Sequence, residues 1–247
     1  MFIGSPDKVY IIDKVEGNPT QINGHSAYAS VWYAILPFPL PFLNYGNRDL
    51  NSRTATAVDV QTNPFCAAGM HLPNASFAVF GGNTAVGPGG NNSDTGSTTA
   101  YDPVYHDYDG TRAIRIITSC EGDVTQSPCS WYDAPNGTQM AKHRWYPGAE
   151  PLANGTVVLI GGFTAGGYIN RNTPNVDPTY EGGQAEPTYE LYPPGAGVPQ
   201  IMNFMVKTSG LNAYALTYLM PSGKMFVQAN YSTSYVDFVS PPLISIR

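Results

Sequence analysis

Residues 152–162 read LANGTVVLIGG, and this stretch decides the fold. An apolar residue, a turn built on Asn-Gly and four consecutive aliphatic residues describe a hairpin turn feeding a buried strand. The closing Gly-Gly provides for close backbone approach at the strand end. Two more stretches follow the same plan: LPNASFAVFGG at 72–82 and MPSGKMFVQAN at 220–230. Their starts lie 80 and 68 residues apart. Short strands, internal repetition and Gly-Gly ends predict an all-β chain built as a propeller of four-stranded blades. An ordinary β-sandwich is the competing arrangement. Strands are expected at 77–80, 157–160 and 225–228, with others at 9–13, 113–119 and 189–192. No segment sustains a 3.6-residue apolar period, so essentially no helix is expected.

Composition agrees. The 26 Gly and 22 Pro form about a fifth of the 247 residues, against about 12% in an average chain, which suits a turn-rich β protein. The 42% hydrophobic content supplies a core and argues against disorder. The net charge of −6, with only 12 scattered Lys and Arg, argues against nucleic acid as a partner. The greasiest run, YAILPFPLPFLNY at 33–45, is too short for a membrane span and is cut by Pro37, Pro39 and Pro41. The first residues lack the basic and apolar regions of a signal peptide. Five Asn-X-Ser/Thr sequons, at Asn74, Asn91, Asn136, Asn154 and Asn230, point instead to a secreted protein. Cys120 and Cys129, with eight residues between them in a polar loop, suit a surface disulfide, with two free thiols as the alternative. Cys66 is then the odd cysteine. Kelch-type blades take about 50 residues and closed rings have about four to eight blades. The spacing here therefore predicts three to four blades, part of a domain.

Long stretches of the chain resemble the glyoxal oxidase branch of the copper radical oxidases, relatives of galactose oxidase. They are DKVEGNPTQINGHSA (13–27), TNPFCAAGMHLPNASFAVFGGN (62–83), RWYPGAEPLANGTVVLIGG (144–162) and GGYINRN (166–172). The resemblance implies a kelch-like propeller of seven blades, of which this chain is an N-terminal portion. It implies oxidation of small aldehydes or primary alcohols by O2 with release of H2O2, one Cu ion, and a redox-active Tyr joined through its ring to a Cys sulfur. The matching residues are Cys66, in NPFCAAG, and Tyr146, in HRWYPGAE, with Tyr146 also a copper ligand. They are 80 residues apart, which equals the first repeat spacing and places them at equivalent points of adjacent blades. On residue type alone, without the resemblance, Cys66 reads as a small buried apolar residue and Tyr146 as an ordinary tyrosine among 17.

The family's copper also takes an axial Tyr followed directly by a His, and a second His nearer the C-terminus. Both are expected beyond this chain, so the remaining copper ligands are expected to be absent. Tyr105-His106 is the one Tyr-His pair, and its polar turn reads as a solvated loop. His25 and His71 do not align with copper ligands, and His71 is expected to hydrogen-bond a turn. His143 lies too close in sequence to Tyr146 to share one metal from an extended strand. Residues 34–51 and the tail 239–247 have no counterpart in the family, which with the missing signal peptide implies an incomplete gene model. Asp107, Asp109 and Gly110 match only part of a calcium loop and read as a turn. Nucleophile-elbow, zinc-helix, Walker and dinucleotide motifs are absent from the sequence. The expected function is thus a secreted, monomeric copper radical oxidase acting on glyoxal-type aldehydes, present as an inactive portion. The alternative is a noncatalytic propeller fragment that binds glycan or protein.

Overall fold

The computed structural model describes residues 1–5, 8–33, 55–90, 100–118, 130–164, 185–195, 199–207 and 212–238. The 34–51 segment, Cys120, Cys129, Asn91 and the 239–247 tail lie outside them.

The chain is nearly all β, in antiparallel sheets that follow one another in sequence. The first sheet has the order β1 (Phe2–Ser5), β2 (Lys8–Ile12), β5 (Ala29–Tyr33), β6 (Ala55–Ala57). A small hairpin, β3 (Gln21–Ile22) and β4 (His25–Ser26), turns through Asn23-Gly24 within it. The second sheet is β7 (Ala68–His71), β8 (Phe77–Phe80), β9 (Ile114–Ile117). The third is β10 (Gly148–Pro151), β11 (Val157–Ile160), β12 (Thr188–Tyr192), β13 (Gln200–Ile201). The fourth is β14 (Leu216–Leu219), β15 (Met225–Ala229), β16 (Ser232–Val236). Four sheets with separate strands, rather than two stacked ones, set the sandwich aside. The one α-helix among the described residues, α1 (Asn203–Val206), is four residues long and buries Phe204, Met205 and Val206. It is too short to leave a sequence period.

Each repeat forms the first hairpin of a sheet. Ala68 pairs with Phe80, Gly148 with Ile160 and Leu216 with Gln228, so the three hairpins share one register. Alternate residues of each second strand face opposite sides, as the period of two requires. Phe77 and Val79 pack with Tyr10 and Val31 of the first sheet. Ala78 and Phe80 pack with Val157 and Leu159 of the third. Val158 and Ile160 pack with Met225 and Val227 of the fourth. The cores therefore lie between successive sheets, as in a propeller, and β10 runs between β7 and β14. Among the described residues the stack is open: Leu216, Tyr218 and Tyr235 remain exposed on the fourth sheet.

The Gly-Gly pairs join one sheet to the next. Gly82 donates its N–H to the Arg144 carbonyl at 3.1 Å, and Gly162 donates to Asn212 at 3.1 Å. All four glycines of the two pairs have positive φ, from 64° to 143°. In the third repeat Asn230, at φ 53°, takes the corresponding left-handed position.

Two sequence expectations are corrected. His71, expected to hydrogen-bond a turn, instead ends β7 and stacks edge-on against Phe77 at 5.0 Å. Nor is Tyr105-His106 wholly solvated, because Tyr105 packs against the first core while His106 is exposed.

Candidate functional site

Cys66, Tyr146 and Tyr214 each stand two residues before the first strand of their hairpin, β7, β10 and β14. All three have left-handed backbones, with φ of 59°, 61° and 44°. Such conformations are costly for residues with a side chain and persist where their surroundings impose them. Here a ladder does so: Tyr146 donates its N–H to the Cys66 carbonyl at 3.0 Å, and Tyr214 donates to the Tyr146 carbonyl at 2.8 Å. The turn before Cys66 is built by Asn63-Pro64. Asn63 Oδ1 accepts the Phe65 N–H at 3.1 Å, and Ala67 donates to the Pro64 carbonyl at 3.1 Å. Tyr146 is placed by its neighbour, since Trp145 and Phe163 exchange both backbone bonds at 2.8 and 2.7 Å.

The side chains gather in one aromatic cluster. Phe65, Cys66 and Tyr146 pack against buried Trp145, Phe163 and Ala185. The Tyr146 ring lies 4.4 Å from that of Trp145 and 4.9 Å, edge-on, from that of Tyr214. Burial pushes the Cys66 thiol up, against hydrogen bonding from Tyr146 and Tyr214 and the nearby Trp145 N–H, which favour the thiolate. The Tyr146 phenol is pushed up to about 12, first by its hydrogen bond with Cys66 and then by burial. Burial, then the charges of ionised Cys66 and Tyr146, push Tyr214 up as well. At neutral pH the site therefore holds neutral phenols beside a thiol. The Trp145 indole N–H, buried, lies toward the same sulfur without a partner at bonding geometry. A cavity of about 460 Å³ opens beside Phe65, lined also by Lys14, Glu16, Asn63, Asn83 and Tyr105. The Asn83 side-chain oxygen is buried there without a partner.

The four histidines of the sequence are engaged elsewhere. His25 is buried, with Nε2 2.8 Å from Asp59 Oδ1. His71 lies against Phe77, and His106 Nδ1 is 2.9 Å from the Tyr101 hydroxyl. His143 Nδ1 lies 2.6 Å from Thr111 Oγ1, with its pKa lowered by burial. Among the described residues no group of three His, Cys, Asp or Glu could hold a metal ion. One thiol, two phenols and an indole supply no imidazole, so these residues alone do not fit a copper ion that favours nitrogen and oxygen donors in a tetragonal set.

The structure thus brings Cys66 and Tyr146 together. It adds Tyr214, which the sequence reading passed over, although applying the 68-residue repeat spacing to Tyr146 reaches it.

A thiol–phenol pair therefore lies where successive sheets of an all-β stack meet. The chain is 23% identical over 195 residues to an aldehyde oxidase, GLOX, of Vitis pseudoreticulata, covering 78% of this chain and 28% of that protein. Among solved structures it is similar to a fungal alcohol oxidase of the AA5 family in complex with copper, with a TM-score of 0.45 and 12% identity, over 97% of this chain and 38% of that one. No family model matches. The chain is similar to glyoxal oxidase-like copper radical oxidases, and it spans under two fifths of the length of either relative. No helix among the described residues is long and apolar enough to cross a membrane.

Proposed function

We propose that this chain carries the Cys–Tyr redox pair of a secreted copper radical oxidase that converts glyoxal-type aldehydes to carboxylic acids. In that reaction the hydrated aldehyde loses two electrons and two protons, and O2 takes them up as H2O2. The contact of Cys66 with Tyr146 carries the reading. A thioether forms between Cys66 Sγ and the Tyr146 ring carbon beside the hydroxyl. The S–H and ring C–H bonds break, and two electrons and two protons pass to O2, giving H2O2. Sulfur on the ring lowers the potential at which the phenol is oxidised and spreads the radical.

Copper enters the reading through the resemblance and the copper-bound relative. Tyr146 is its phenolate donor from this chain, and the imidazole donors come from outside it.

Peptide mass spectrometry after aerobic incubation with Cu(II) tests the pair. A cross-linked peptide joining Cys66 to Tyr146, lighter by two hydrogen atoms, is expected, and it disappears in Tyr146→Phe. The copper-treated chain is expected to make no H2O2 from glyoxal; sustained production would overturn its inactivity as a portion. An unlinked Cys66 under all aerobic conditions would leave the noncatalytic reading, for which the exposed Leu216, Tyr218 and Tyr235 offer a binding face.

A further inference from the structure

We infer that Tyr214 is a positioning residue that covers the Cys66 sulfur and holds it against Tyr146. The inference rests on the thiol–phenol reading above and names a residue which that reading does not use. Three observations converge. Tyr214 occupies the same place in its hairpin as Cys66 and Tyr146 do in theirs, and its backbone N–H extends their ladder. Its hydroxyl reaches toward the carbonyl of Ala67, next to Cys66, at 3.5 Å, while its ring stands edge-on to Tyr146 at 4.9 Å. The Trp145 indole N–H also lies near the sulfur, on a side chain only 7% exposed and without a partner at bonding geometry.

The sulfur is therefore enclosed by two phenols and an indole. Tyr214 is the outermost of the three, with 43% of its surface exposed, so it forms the wall between thiol and solvent. Edge-on aromatic packing restrains the Tyr146 ring. A hydroxyl anchored on the Ala67 carbonyl keeps the Tyr214 ring beside Cys66. Both restraints remove freedom that would otherwise be lost when sulfur and ring carbon meet, and such pre-ordering is a large rate effect. The left-handed φ of 44° on a tyrosine shows the surroundings holding this residue in place.

The test uses the full chain in its reduced form. Tyr214→Asn tolerates the left-handed backbone without the ring. Tyr214→Phe keeps the ring without the hydroxyl. Iodoacetamide at fixed pH, read on the Cys66 peptide alone, is expected to alkylate Cys66 about fivefold faster in Tyr214→Asn, with Tyr214→Phe close to the parent. Aerobic incubation with Cu(II) is expected to form the Cys66–Tyr146 link about tenfold more slowly in Tyr214→Asn, with Tyr214→Phe between. Should Tyr214→Asn lose its sheet signal in circular dichroism, Tyr214→Gly replaces it, since glycine relieves the backbone. Equal alkylation of the parent and the truncated variant overturns the inference, whether or not any link forms. Equal linking rates in all chains overturn it too. Faster alkylation in the truncated variant, with no link in the parent, overturns the thioether reading and leaves Tyr214 as the cover of the thiol.

Discussion

Arg144 is fully buried, and its Nε lies 2.8 Å from Glu190 Oε1 on β12. The same guanidinium donates to the carbonyls of Gly161 and Thr188 at 2.8 and 3.0 Å and to Thr188 Oγ1 at 2.9 Å. It thus fixes the Gly-Gly end of β11 from two residues before Tyr146. Replacing Arg144 by Met leaves the buried Glu190 carboxylate with the Ala141 and Lys142 N–H groups but no counter-charge, and removes the guanidinium from the Gly161 and Thr188 carbonyls, so a loss of about 3 kcal/mol is expected in urea unfolding. Arg144→Lys keeps the charge but not the planar fork, and should fall between the two. Adding Glu190→Gln to Arg144→Met should cost less than the sum of the single losses, because the uncompensated charge is gone.

Gly82 gives a second test of the blade junction. Its φ of 143° is one that side chains avoid, and a Cβ there would overlap the carbonyl of Asn63. Gly82→Ala should therefore cost at least about 2 kcal/mol and shift the segment that carries Cys66. Gly223, also at positive φ but with nothing near a Cβ, isolates the backbone cost. Gly223→Ala is expected to lose only about 1 kcal/mol. Thermal unfolding of both variants side by side measures the difference.

These two junctions mark what was legible beforehand. The strands at 77–80 and 157–160 were readable to the residue, because turn chemistry and Gly-Gly bracket them. Residues 9–13 shift to Lys8–Ile12, since Lys8 pairs with Tyr33 while the Asp13 N–H turns to the Tyr28 carbonyl. Of the expected 113–119, residue 119 lies outside the described residues and the strand runs Ile114–Ile117, because Ala113 bonds Gly110 and Gly81 instead. Phe2–Ser5 was not legible: four residues at a chain start carry no bracketing turn. Cys66 and Tyr146 stood out through chemistry and a shared spacing. Tyr214 did not, because a tyrosine between two alanines carries no chemical signal, and only the 68-residue spacing counted on from Tyr146 points to it.

Glycan placement follows from the hairpins. Asn74 and Asn154 sit exposed at equivalent turns, where each Oδ1 accepts the N–H two residues on, at 3.1 and 3.0 Å. Asn136 is exposed too, while Asn230 is half-buried behind β15. Secretory expression should therefore modify Asn74, Asn136 and Asn154 more fully than Asn230. Site-resolved mass spectrometry before and after enzymatic deglycosylation reads the occupancy. A fully occupied Asn230 beside an empty Asn154 would contradict the exposure order.

Asp107 makes the stability depend on pH. Its Oδ2 accepts the Val86 N–H at 3.1 Å, while the buried Oδ1 has no partner. Burial, opposed by the Val86 bond and reinforced by the charges of Asp102 and Asp109, pushes its carboxyl up to about 7 from 3.8. The buried Tyr28 hydroxyl, also without a partner, has its own ionisation disfavoured by burial and then by Asp107. Between these two carboxyl values the folded chain holds a proton that the unfolded chain has released. Linkage then requires that stability fall as pH rises from about 4 to about 7 and level off above. Asp107→Asn keeps an acceptor for Val86 and cannot ionise. It should match the parent near pH 4, exceed it near pH 8, and lose the slope between. Urea midpoints of both chains across that range measure it. A parent whose midpoint rises with pH through this window, with Asp107→Asn parallel to it, would show that Asp107 is charged in the folded protein and that the pH dependence arises elsewhere.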